Sequence, residues 1–192
     1  MLEHAAPVIY DFLTGFQRDP FGTAEESELH KSLFSALYRQ FDQLAIKFQM
    51  EKAQLDIAYY PDRDSVRLNP VRTAYPSAEK FSVAVLGGDG KGGEERFQTY
   101  WQQPVVVAIN LHHCADADLA GKYLRKLDKD RKKMEAYRAG LENREDFAGL
   151  SLLLVAGDAP ENAGEEIEAE LERGVQTWIV AADGLFSYSG KS

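Results

Sequence analysis

Two stretches of the chain, VVVAINLHH (105–113) and GLSLLLVAG (149–157), are apolar almost without interruption. Neither alternates, so neither suits a strand with one wet face. Such runs fit strands buried on both sides, and that requires a covering layer above and below the sheet. The expected fold is therefore α/β, a mixed central sheet flanked by helices.

The flanking segments supply helices. In TAEESELHKSLFSALYRQFDQL (23–44), Leu29, Leu33, Leu37 and Phe41 recur at helical spacing, with Phe34 and Tyr38 widening the stripe. Thr23 is the expected N-cap and Glu26 its capping-box partner. A long helix is expected over roughly 116–142 and a short acidic one over 161–172, with Gly174 as its stop signal. Strands are expected at Ile46–Met50 and Leu55–Tyr60, paired with each other and ended by Pro61. SVRLNP (65–70) and FSVAVL (81–86) are further candidates, and GGDGKGG (87–93) reads as a loop. In TWIVAADGLFSYSG, Asp183-Gly184 between apolar runs signals a C-terminal hairpin. One domain covers residues 1–192, with an inserted hairpin region at about 62–103.

Composition narrows the class. No apolar run approaches the roughly 18 residues of a membrane span, so no membrane association is expected. The single cysteine, Cys114, permits no intramolecular disulfide and fits a reducing compartment. The first residues lack a basic segment, so the chain is expected to be cytoplasmic. A net charge of −9 argues against binding nucleic acid over the whole surface, yet leaves room for one basic face.

The long helix provides that face. On a helical wheel Tyr123, Leu127, Met134, Tyr137 and Leu141 share one side. Lys122, Lys126, Lys129 and Lys133 share another, flanked by Arg125 and Lys132. Residues 121–138 hold eight basic and three acidic side chains in an acidic chain. This face suits a phosphate backbone. It equally suits a solvated surface balanced by the acidic segment at 161–172, or by the acidic surface of a protein partner or a second copy of the chain.

The order of elements resembles the PD-(D/E)XK, or restriction endonuclease-like, nuclease superfamily over about residues 25–155. LDIAYY (55–60) is similar to its Asp-bearing strand, which puts Asp56 at the metal-binding aspartate. VVVAINLHH is similar to the strand that carries Glu-X-Lys, and KYLRKLDKDRKKMEAYR (122–138) to the helix that follows. Glu28 corresponds to an acidic residue that some members add from the first helix. The resemblance implies an Mg2+-dependent phosphodiesterase whose carboxylates hold the metal and whose lysine offsets phosphoryl charge. Here the Glu position is Ala108 and the Lys position is Asn110. Alanine ligates nothing, and asparagine brings an oxygen without charge.

Two expectations follow. In one the chain is a degenerate member with no cofactor, binding nucleic acid through Lys122, Arg125, Lys126, Lys129, Lys132 and Lys133, or binding a protein. In the other, cleavage survives with relocated groups: Glu28, Glu51 and Asp56 on Mg2+, and Lys126 or Lys129 near the phosphate. Both need segments 55–60 and 104–111 to be neighbours in the sheet, bringing Asp56 beside positions 108 and 110. A third reading is a scaffolding protein unrelated to nucleic acid.

Weaker signals remain. His112 and Cys114 point to one side of their strand and suit zinc, but no CxxC or HxxxH partner exists. A histidine pair satisfied by its surroundings accounts for them better. GGDGKGG lacks the ending of a P-loop. Trp101 and Trp178 read as sheet-covering aromatics.

Overall fold

The computed structural model describes residues 2–20, 25–47, 55–59, 81–87, 105–116, 119–141 and 144–189. Thr23, Glu51, Trp101, SVRLNP, most of GGDGKGG and the side chains of Tyr38, Phe41 and Asp56 lie outside what is described. The elements are α1 (Leu2–Arg18), α2 (Glu26–Lys47), β1 (Leu55–Tyr59), β2 (Val83–Gly87), β3 (Val105–Cys114), α3 (Ala120–Ala139), β4 (Ala148–Val155), β5 (Gly174–Ala181) and β6 (Gly184–Ser187). No helix among the described residues is long and apolar enough to cross a membrane.

The six strands form one mixed sheet in the order β1-β2-β3-β4-β5-β6. β1, β2 and β3 make an antiparallel meander, and β3, β4 and β5 run parallel. β6 closes the sheet as an antiparallel hairpin with β5. The two continuous apolar runs are β3 and β4, the sheet's centre, and every residue of β4 is buried. α1 and α2 cover one face, over Val107, Ile109, Leu111, Leu150, Leu152, Leu154, Trp178 and Val180. α3 covers the other, through Leu124, Leu127, Met134 and Tyr137.

Several expectations need correction. α1 precedes the expected first helix; Ile9, Leu13 and Phe16 form its buried stripe. α2 continues through Lys47, so Ile46 and Lys47 are helical and not the start of a strand. β1 pairs with β2, and residues 48–50 of the expected partner strand lie outside the described residues. The acidic segment at 161–172 is extended. It bonds along β6 through Gly164 N to Ser187 O, Ser187 N to Glu165 O, and Ile167 N to Leu185 O. Its Ile167 and Leu171, four apart, read equally as a helical or an extended face. In a helix, however, Glu166/Glu170 and Glu168/Glu172 would be like-charge neighbours. The strap also occupies the bonding edge of β6, which would otherwise be an open template for another strand. Gly174 begins β5 at φ +111°, where a side chain would strain the backbone. The hairpin forms one residue earlier than expected, with Ala182 and Asp183 as its loop.

Two contacts fix these layers. The Tyr137 hydroxyl on α3 accepts a hydrogen bond from Val105 N at 2.9 Å, in a buried setting at the start of β3. Replacing Tyr137 by Phe leaves that buried N–H without its acceptor. We expect a loss of about 1–3 kcal/mol, read from the urea midpoint. A Cβ at Gly164 would stand 2.4 Å from the Ser187 carbonyl oxygen, which is backbone and cannot turn aside. Gly164→Ala should therefore detach the strap, seen as faster amide exchange at Ser187 and Ile167.

Candidate functional site: β3 and the face of α3

β3 outruns its antiparallel neighbour. β2 pairs with it only as far as Val83 opposite Ile109, while β3 continues to Cys114. Among the described residues, backbone groups past that point have no strand on the β2 side, and buried groups of this kind find other partners. Side chains take the place of the strand. Leu111 N donates to Ser82 Oγ at 3.2 Å. His30 Nε2 donates to Leu111 O at 2.9 Å. His113 N donates to the Glu26 carboxylate at 3.0 Å. Glu26 and His30 are one helical turn apart in α2, so both reach the same edge. Glu26, expected to close a capping box, is turned to β3.

The two β3 positions that the resemblance would make catalytic, 108 and 110, serve packing and strand capping. Ala108 is fully buried and lies in register with Ala84 on β2 and Gly149 on β4. These three small residues make a shelf on which α3 rests. A Cβ at Gly149 would come within 3.0 Å of Met134 Sδ. The position of the resemblance's Glu is thus the floor under Met134, Tyr137, Phe81 and Phe147. Asn110 is 4% exposed, and its Oδ1 accepts from Ser82 N at 3.0 Å, which caps the end of β2. It belongs to a buried polar row across the parallel strands, in register with Ser151 and Thr177. The Nδ2, Oγ and Oγ1 atoms of these three have no hydrogen-bond partner among the described residues.

The residues expected to meet are not brought together. β2 lies between β1 and β3, so the required neighbours are separated by two strand spacings, about 10 Å. Asp56 is in register with Leu86, and Leu86 with Val105, whereas Ala108 pairs with Ala84, further along β2. The physical reason is the meander: β2 pairs with β1 along one edge and with β3 along the other. Glu28 is exposed in the first turn of α2, and its neighbour Glu26 is the residue that turns inward. Lys126 is exposed, with Nζ 4.4 Å from the centre of the Tyr123 ring. Glu51 lies outside the described residues. Among the described residues no group of three or more His, Cys, Asp or Glu side chains is placed to hold a metal ion.

The histidines at the strand end are held by protein. His112 Nε2 is 2.7 Å from Asp130 Oδ2 on α3, and its Nδ1 is 3.9 Å from Glu26 Oε2 on α2. His113 turns to the other face, edge-on to Phe16 with ring centres 5.9 Å apart. Burial lowers the His113 pKa, against a smaller upward pull from Glu26. Cys114 is buried, its Sγ directed to Asp116 O, and burial pushes the thiol pKa up, as befits an inert cysteine.

α3 carries the exposed charge. Lys122, Arg125, Lys126, Lys129 and Lys132 are exposed, and half-buried Lys133 lies with Nζ 4.9 Å from the Phe81 ring centre. From Lys122 to Lys133 the stripe is about 16 Å long at 1.5 Å per residue. The three acids of this helix sit beside the stripe and are engaged by other groups. Asp130 meets His112 at 2.7 Å. Glu135 and Asp128 meet Arg131 at 3.0 and 3.9 Å. Among the described residues, no ion pair joins Lys122, Arg125, Lys126, Lys129 or Lys132 to the acidic strap on β6.

No protein-family model, curated protein or solved structure matches the chain.

Two outcomes follow from this geometry. Ala108→Glu, which would restore the acidic residue of the resemblance, forces a carboxylate against Met134 and Tyr137. It should destabilise the fold by several kcal/mol in urea unfolding and confer no Mg2+-dependent cleavage. For His113 the sign is set by burial. Its folded pKa is below the ordinary 6.5, so the stability tied to the neutral ring is complete above that value and is lost as pH falls toward the folded pKa. The stability gap between the wild type and His113→Gln should narrow between about pH 7 and about pH 5, measured by chemical denaturation.

Proposed function

We propose that this chain is a binding domain for the phosphate backbone of nucleic acid, with α3 as its contact surface, and that it does not cleave what it binds. The observation that carries the reading is the stripe of exposed cations on α3, whose neighbouring acids are already engaged by His112 and Arg131. In a chain of net charge −9, a single cationic face of this kind concentrates attraction in one place. The order of helix, three-strand meander, helix and parallel strand supports kinship with the restriction endonuclease-like group as a degenerate member. Burial of Ala108 beneath Met134, and use of Asn110 to cap β2, support binding without chemistry at those positions.

The reading is tested by fluorescence anisotropy of labelled oligonucleotides of about 20 nucleotides over a range of salt. If the stripe neutralises about four to six phosphates, log K should fall against log salt with a slope of about −3 to −5, depending on duplex or single strand. Lys126→Glu with Lys129→Glu should weaken binding at least about tenfold and flatten that slope. Binding that ignores salt, or survives the double substitution unchanged, would refute the assignment to α3. Degradation of the oligonucleotide in Mg2+, abolished by Asp56→Ala, would overturn the non-cleaving part.

A further inference from the structure

His112 stands at the end of the central strand, where the two helical layers meet. Its ring lies between a carboxylate of each: Asp130 from α3 at 2.7 Å and Glu26 from α2 at 3.9 Å. The side chains of His112 and Asp130 are 17% and 16% exposed, so their charges are only weakly screened by solvent. Other charged and titratable groups surround them. From α3 come Tyr123, with ring centres 6.3 Å apart, and Lys126 above that tyrosine. From α2 comes His30, held on Leu111 O. β3 itself adds His113 and Cys114, and Asp116 follows in the turn.

Asp130 borders the stripe, one residue after Lys129, four after Lys126 and three before Lys133, which makes it a negative notch at the edge of the basic face. Whether the notch is felt depends on one proton. With a neutral imidazole, Nε2–H still donates to Asp130, but the pair carries −1 and His112 Nδ1 is buried without a partner among the described residues. With an imidazolium the pair is neutral, and Nδ1–H points toward the Glu26 carboxylate.

We propose that His112 is a proton-operated regulator of the α3 surface: its protonation cancels Asp130 and strengthens polyanion binding, and its deprotonation restores the negative notch and weakens it. This rests on the nucleic-acid-binding reading above. The direction is fixed by charge: affinity rises as pH falls and the imidazole takes up its proton.

The experiment measures oligonucleotide affinity at constant ionic strength from about pH 8 to about pH 5.5, where phosphates and ordinary carboxylates keep their charge. The wild type should bind roughly three- to tenfold more tightly at the acid end. His112→Gln keeps a donor for Asp130 but cannot charge, and should bind as the wild type does at pH 8 and lose the acid gain. Asp130→Asn should bind more tightly than the wild type at pH 8. His4→Gln, on α1, should leave the profile unaltered. Ring-proton NMR should show His112 gaining its proton in step with the rise in affinity. Salt-dependent binding with a flat pH profile, or an acid gain that persists in His112→Gln, would overturn this proposal and leave the binding function standing. Absence of binding at every pH would overturn both.

Discussion

A strand buried on both faces and longer than its neighbour imposes most of the order in this molecule. β3 needs a helical layer on each side, and the chain delivers them as α1 and α2 before it and α3 after it. Its last residues need hydrogen-bond partners where β2 has already ended, and Ser82, Glu26 and His30 supply them. Those bonds determine how the first turns of α2 meet the sheet. They also bring a carboxylate to the spot where the next residue, His112, meets Asp130 of α3. The junction of three layers is thus a consequence of backbone bookkeeping at one strand end.

The same strand explains why position 108 carries no charged group. A carboxylate at position 108 needs space and solvent or a metal. The space is taken by Met134 and Tyr137, which require small residues at Ala84, Ala108 and Gly149. Close seating of α3 and a charged residue beneath it are mutually exclusive. Closeness is what the structure has, and the exposed charge of α3 lies on the outer surface of the helix. There the helix's own acids pair with His112 and Arg131 at the flanks of the cationic stripe.

The apolar α3 contact is divided by the row of Asn110, Ser151 and Thr177, which separates the cluster around Met134 from the one around Leu124 and Leu127. Polar groups without partners weaken packing where they lie. Without partners among the described residues, Asn110 Nδ2, Ser151 Oγ and Thr177 Oγ1 interrupt the apolar seat of α3 between those two clusters.

Periodicity alone determined the layered α/β class, β3 and β4 as its centre, α2 through Leu29, Leu33 and Leu37, and α3 with its basic stripe, because these signals are local repeats of burial. The hairpin near Asp183 was legible for the same reason, though one residue out of register. What local patterns do not contain is pairing. Ile167 and Leu171 fit two conformations, and bonding to β6 chose the extended one. Asp56 carries no mark of its distance from β3; that distance arises because β2 pairs with both strands. Likewise nothing adjacent in sequence links Glu26, His112 and Asp130. Only the packing of α2 and α3 on opposite faces of one sheet, at the C-terminal end of β3, brings those three side chains together.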